Sequence, residues 1–63
     1  MRFEIYKDAG GDWRWRLRTL NGNVIADSAE GYERRADCEH GIELVKGSAA
    51  ATTVDMSARI AGG

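Results

Sequence analysis

The sequence predicts an α+β domain, an antiparallel sheet with one helix packed on one face. Apolar and cationic residues alternate strictly over Trp13–Arg18, which is the period of a strand with one buried and one solvated face. Asn21-Gly22 then marks a hairpin turn. From residue 33 to 46 the apolar period becomes helical. A short alternation over residues 53–56 completes a β-β-β-α-β order.

The first predicted hairpin joins a strand containing Phe3 and Ile5 to the tryptophan strand. Matching their core faces allows Ile5 to lie opposite Trp15, with Glu4 opposite Arg16, across a five-residue loop. The same parity also allows a tighter three-residue loop. Both registers remain open at this point.

The second predicted hairpin has its register set by the turn. A type I′ turn at Asn21-Gly22 needs positive φ at both positions and leaves a two-residue loop. Val24 and Ala26 are then expected on the tryptophan side of the sheet. The expected pairs are Thr19 with Val24, Arg18 with Ile25, Leu17 with Ala26, and Arg16 with Asp27.

The predicted helix has a narrow apolar stripe. Its small and apolar members are Cys38, Gly41, Ile42 and Val45. Gly47 suits a C′ position. No Ser, Thr, Asp or Asn stands at the cap position, so we expect a weak helix start.

The length allows one domain, predicted over residues 1–57, with residues 58–63 as a frayed tail. For 63 residues the gain from burial and the cost of ordering the chain nearly cancel. One cysteine cannot close an intrachain disulfide, and with one histidine it cannot form a structural zinc site. Self-association is therefore the expected source of extra stability.

Charge and hydropathy narrow the function classes. Nine basic and ten acidic residues give a net charge of −1, which argues against general binding to nucleic acid or membrane surfaces. No apolar run approaches the ~20 residues of a membrane span, and the first residues lack a signal-peptide core. We expect a cytoplasmic protein, and the single Cys38 fits a reducing compartment.

The outer sheet face is the candidate partner-contact surface. Arginines beside an aromatic ring can hold phosphates and stack bases, although a solvated strand face is the favoured interpretation. Arg16 is expected between Glu4 and Asp27. Arg14 is expected beside the tyrosine, so that Arg14 and Arg18 lack a cross-strand acid. The members of this face are Tyr6, Arg14, Arg16 and Arg18.

Other chemically suggestive residues are better explained as structure. Trp13 and Trp15 can line a ligand pocket, but on a core-facing strand they more often form the core. Cys38 and His40 point to different sides of a helix and cannot share an ion or a proton. We therefore predict no catalytic residues, no cofactor and no metal site, and an enzyme is not favoured.

Several segments, in this order and spacing, resemble the YegP-like small domains, a group of unknown function. These segments are residues 3–8, the Trp-Arg-Trp-Arg-Leu run, and residues 21–26, 30–32 and 41–46. The resemblance covers about residues 3–55 and implies a β-β-β-α-β unit. It departs from the family at Glu33-Arg34, where members often have a capping Thr or Ser.

The resemblance also implies an assembly. Two YegP-like units form one continuous sheet with their C-terminal strands exchanged, so a chain with one unit is expected to be a homodimer. Val54 and Met56 mark the dimer strand. The predicted function is a non-enzymatic interaction or structural module whose partner is itself or another protein. The alternative is weak nucleic-acid binding through the arginine-bearing face.

Overall fold

The computed structural model describes residues 1–57 and shows a three-stranded antiparallel sheet with one helix. Strand β2 is central, between β1 and β3. The predicted α+β class and the first four elements are confirmed. The tail predicted to fray, residues 58–63, lies outside the described residues. The elements are β1 Arg2–Lys7, β2 Trp13–Arg18, β3 Val24–Asp27 and α1 Arg35–Lys46.

The first hairpin has the register that leaves five residues, 8–12, between β1 and β2. Ile5 lies opposite Trp15 and Glu4 lies opposite Arg16. This is one of the two registers that the sequence left open. Phe3 lies opposite Leu17, so apolar residues of both strands share the face that the helix covers.

Asp8 shapes this loop with its side chain. Its Oδ1 atom accepts hydrogen bonds from the backbone N–H groups of Gly10 at 2.9 Å and Asp12 at 3.0 Å. The backbone N–H of Asp8 also donates to the carbonyl of Asp12 at 2.9 Å. An aspartate that satisfies the amides of its own turn favours that turn over a shorter one.

The second hairpin corrects the type I′ prediction. The carbonyl of Thr19 accepts a hydrogen bond from Gly22 at 2.9 Å, and its N–H donates to Asn23 at 2.9 Å. Gly22 has a φ of +87°, whereas Asn21 is not in the positive-φ region. The connection is therefore a three-residue loop, a type I turn followed by a left-handed glycine.

The extra loop residue changes the pairing at the start of β3. The pairs Leu17 with Ala26 and Arg16 with Asp27 are confirmed. The predicted pairs of Thr19 with Val24 and Arg18 with Ile25 are wrong. The register shifts between Leu17 and Arg18, so that Arg18 lies opposite Val24. Such a bulge absorbs one residue, and it moves Val24 from the tryptophan side to an exposed position beside Arg18.

After β3 the chain bulges outward and then returns to β2. Ser28 still donates its N–H to the carbonyl of Trp15 at 3.0 Å. Ala29 adopts a φ of 64°, and Tyr32 then exchanges two backbone hydrogen bonds with Trp13, at 2.7 and 2.8 Å. This return places Tyr32 against the core.

Helix α1 begins later than residue 33, and its start has the weak cap expected from the sequence. Arg34 occupies the N-cap position and makes no side-chain cap hydrogen bond. The prediction that Gly47 stands at the C′ position is wrong, because Gly47 is the C-cap residue itself, with a φ of −81°. A tighter turn ends the helix instead, with both the N–H and the hydroxyl of Ser48 donating to the carbonyl of Val45.

The core is small and centres on β2. Trp15, Cys38 and Ile42 are its buried hydrophobic residues within the described part of the chain, with Trp15 only 5% exposed. Phe3 meets the Trp15 ring edge-on, with centroids 5.6 Å apart. The prediction that Trp15 is core is confirmed, and Trp13 packs at the margin of the same cluster.

Gly41 lets the aromatic side chains approach the helix backbone. A Cβ atom at this position would stand 2.9 Å from the Tyr32 hydroxyl and 3.3 Å from Trp15 Nε1. Both distances are shorter than an ordinary van der Waals contact, and Trp15 is packed in the core with only 5% of its surface exposed.

The predicted fourth strand over residues 53–56 does not form in the single chain. Residues 51–56 lie outside the helix and strands, and Val54 is 61% exposed. A strand needs a neighbouring edge to satisfy its backbone groups, and within the described residues this segment pairs with none.

Replacing Trp15 with Ala should destabilise the fold by about 3–5 kcal/mol, because it removes the largest side chain of a small core. Chemical denaturation followed by circular dichroism measures this loss. Leu20→Ala is the control, since Leu20 is 91% exposed and its truncation should change stability by less than about 0.5 kcal/mol. Equal effects of the two variants would contradict the core assignment.

Gly41→Ala should destabilise the protein by about 1 kcal/mol or more, because the added methyl group overpacks against Tyr32 and Trp15. In a helix with space, the same change stabilises by up to about 1 kcal/mol. Gly47→Ala is the matched control, since its Cβ meets only ordinary contacts at 3.6 Å. Thermal melts of both variants measure the difference, and a higher melting temperature for Gly41→Ala would show that the helix tolerates the methyl group.

Candidate functional site

The outer sheet face carries a network of ion pairs, which we call the arginine face. It is formed by alternate residues of β1 and β2 that point away from the helix, joined by an aspartate of the first loop. Its members are Arg2, Glu4, Tyr6, Asp8, Arg14, Arg16 and Arg18.

Glu4 is the centre of this network. Its Oε1 atom accepts hydrogen bonds from the Nε–H groups of Arg16 and Arg18, both at 2.7 Å. Its Oε2 atom accepts one from Arg2 at 3.0 Å. The bonds from Arg16 and Arg18, with a smaller contribution from Arg2, lower the pKa of Glu4 to about 2, against a partial opposing effect of desolvation.

Asp8 neutralises the remaining arginine of β2. Arg14 donates from Nε to Asp8 Oδ2 at 2.5 Å, and this bond is the main cause of the lowered pKa of Asp8 and the raised pKa of Arg14. The sequence predicted that Arg14 and Arg18 lack an acidic partner on the neighbouring strands. Instead Arg14 pairs with Asp8, while Arg18 pairs with Glu4 and also donates to the carbonyl of Gly22 at 2.6 Å.

The cation–π contact on this face also differs from the expectation. Tyr6 lies opposite Arg14 in the ladder, but Arg16 stacks over the Tyr6 ring, 4.7 Å from its centroid. Arg16 lies between Glu4 and Asp27 as predicted. It forms its ion pair with Glu4, whereas Asp27 Oδ1 accepts a hydrogen bond from the Ala29 N–H at 2.9 Å.

This geometry limits what the arginine face can do. Its arginines on β2 each donate to a carboxylate through Nε, so part of their charge and hydrogen-bonding capacity is already engaged within the face. The face is a surface of ion pairs in which two carboxylates oppose four arginines, and it is suited to contact with a polar partner. It lacks the free cationic row that a nucleic-acid clamp needs.

Cys38 and His40 are kept apart, as their spacing on the helix requires. Cys38 is fully buried, and its burial raises the pKa of the thiol, which keeps it protonated and unreactive. His40 is exposed. Among residues 1–57 no group of three or more His, Cys, Asp or Glu side chains is placed to hold a metal ion.

A second feature was not seen from the sequence: an open apolar groove between β1 and α1, which we call the β1 groove. It has two parts, of about 530 and 220 Å³, that share Phe3 and Lys46. Lys46, which lines both parts, forms an ion pair with Glu43 at 3.3 Å. The larger part is lined by Met1, Arg2, Phe3, Leu17, Val45 and Lys46, and the smaller by Phe3, Ile5, Glu39, Ile42, Glu43 and Lys46.

The groove exists because the helix packs mainly on β2. Contact between α1 and the sheet falls on the central strand, so the apolar side chains Phe3 and Ile5 of β1 are only partly covered. The narrow stripe of α1 was a sequence signal for this result, since such a helix covers about one strand. The β1 groove is therefore a part of the apolar core that the helix leaves exposed.

Fold and site together define a small α+β domain with a polar face of ion pairs on one side and an incompletely covered core on the other. Comparison with known proteins gives the family of the chain. A family described as a domain of unknown function, DUF1508, matches residues 8–55. A UPF0339 protein of Neisseria meningitidis serogroup B is 50% identical over 54 residues, which cover 86% of this chain and 95% of that protein.

A solved structure is also similar to this chain. The solution structure of a protein from Haloferax volcanii matches with a TM-score of 0.77 and 44% identity, covering 86% of this chain and 90% of that one. A UPF0339 protein of Stutzerimonas stutzeri is 47% identical over 47 residues, which cover 75% of this chain but 41% of that protein. The chain belongs to the DUF1508 (UPF0339) family, the YegP-like group that its motifs resembled.

Within the described residues, α1 is too short and too polar to cross a lipid bilayer, and no other helix that could do so is present.

Glu4 makes stability depend on acid pH. Its pKa of about 2 in the folded state lies below the ordinary value of 4.5, so its contribution is complete above pH 4.5 and is lost as pH falls toward 2. Denaturation midpoints at pH 7, 4 and 2 should therefore fall more steeply for the native chain than for Glu4→Gln. Glu33→Gln, a change at an exposed position, should retain the native slope. Parallel slopes for all three proteins would contradict this role of Glu4.

Proposed function

We propose that the chain is a non-enzymatic interaction module that works as a homodimer. In this arrangement, the segment 53–57 of each copy adds a strand to the outer edge of β1 in the other copy. Val54 and Met56 then cover the β1 groove of that copy. The observation that carries the proposal is the groove itself, an apolar part of the core beside an unpaired strand edge.

The exposed surface area of the chain supports a partner that covers an interface of standard size. The chain exposes 4983 Å², about 1,000 Å² more than a compact monomer of this length would expose. A standard interface covers about 800 Å² per partner. The excess surface and a standard interface are therefore of the same order.

The tail has the composition of an exchanged strand. The small polar residues 48–53 supply a hinge, and Val54 presents an apolar side chain to solvent. Exchange of identical segments is a low-cost route to dimers. The relative from Stutzerimonas stutzeri, more than twice as long as the segment that matches it, has room for a second unit in one chain.

The arginine face is the surface left for a further partner. In the proposed dimer it faces away from the helices and stays exposed, so it offers polar contacts to another protein. Nucleic-acid binding is the weaker alternative, because Arg14 and Arg18 already hold carboxylates. A cytoplasmic setting is part of the proposal, since the buried free thiol of Cys38 suits a reducing compartment.

Sedimentation velocity tests the dimer. The native chain should sediment as a dimer at tens of micromolar, and removal of residues 52–63 should leave a monomer. Val54→Lys should also dissociate the dimer, because it places a charge in the β1 groove. Leu44→Lys is the matched control: Leu44 is 63% exposed on α1, and its variant should stay dimeric. A monomeric native chain, or a truncated chain that still associates, would overturn the proposal.

A further inference from the structure

The apolar β1 groove determines which side chains of the added strand point toward the core and which point away from it. In a strand, neighbouring side chains point to opposite sides, and a shift of one residue would turn every apolar side chain toward solvent. If Val54 and Met56 enter the β1 groove, Asp55 between them must point to the arginine face. This conclusion holds whether the strand runs parallel or antiparallel to β1.

The register follows from the shape of the groove. Its larger part is lined by Met1 and Phe3, which flank Arg2 in β1. Val54 and Met56 flank Asp55 in the same way. Seating the two apolar side chains beside Met1 and Phe3 therefore brings Asp55 opposite Arg2.

The charges at this edge are complementary. Glu4 is shared by three guanidinium groups, and Arg2 is the most exposed of the three, with 65% of its side chain accessible. An additional carboxylate at the edge of β1 meets a local excess of positive charge.

We propose that Asp55 of one copy forms an ion pair with Arg2 of the other, and that this pair sets the register of the exchanged strand. The pair rests on the proposed dimer and makes it more specific. It extends the arginine face across the subunit boundary and gives the tail a polar anchor on one side and an apolar anchor on the other.

In the single chain the carboxylate of Asp55 is occupied locally. Its Oδ1 atom accepts hydrogen bonds from the N–H of Ser57 at 2.9 Å and from the Ser57 hydroxyl. Both bonds use one oxygen, so Oδ2 is left to accept from a guanidinium. The contacts with Ser57 also keep Asp55 ionised, because they lower its pKa.

A charge-exchange series tests the pair. Dimer dissociation constants are measured by sedimentation for the native chain, Asp55→Lys, Arg2→Glu and the double variant. Each single variant should weaken the dimer about tenfold, because a dimer contains two such contacts and each becomes repulsive. The double variant should return to within about threefold of the native value.

Two controls keep the outcomes distinct. Glu30→Lys makes the same change in net charge at an exposed loop and should leave the dissociation constant within about twofold. Asp55→Asn tests the pair without changing β1, and its dimer should be less sensitive to salt than the native dimer. Circular dichroism verifies that each variant is folded.

The results separate the two proposals. A native chain that remains monomeric overturns both. A native dimer that Asp55→Lys weakens no more than Glu30→Lys, or a double variant no tighter than the single variants, overturns the pair and leaves the dimer standing. If Arg2→Glu does not fold, a dimer of Asp55→Asn with the same salt dependence as the native dimer also overturns the pair.

Discussion

The packing of Trp15 against helix α1 is the contact on which the rest of the structure depends. The indole fills most of a core that contains only two other buried hydrophobic residues in the described chain. It reaches the helix because Gly41 presents no side chain, and Tyr32 closes the same gap from the far side. The helix is thereby fixed above β2, and this position leaves β1 only partly covered.

The outer face of the sheet is held together by ion pairs rather than by apolar packing. Arginines at alternate positions of β2 would repel one another if they stood alone, and the fold places two carboxylates among them. Glu4 draws together Arg16 and Arg18, and Asp8 holds Arg14 while it also forms the first turn. The contacts of the polar face therefore depend on the register of the first hairpin, as the core does.

The two sides together suggest how a chain of this length becomes a stable unit. The core cannot be completed by one helix with a narrow apolar stripe, and the apolar residue Val54 has no core of its own to enter. In the proposed dimer, a second copy supplies what each chain lacks: an edge for the tail and a cover for the groove. In such an assembly, binding and folding draw on the same buried surface, so association strength and stability rise and fall together.

The sequence alone determined which residues of β2 and α1 face the core and which face solvent, because alternation over Trp13–Arg18 and the helical period are local properties. It also determined that the helix start is weak. It could not choose the loop lengths, the bulge before Ala26 or the partner of Arg14. Those depend on distances that exist only after the chain has folded. The position of the helix over β2, and the groove that it leaves, were decided by the close approach at Gly41.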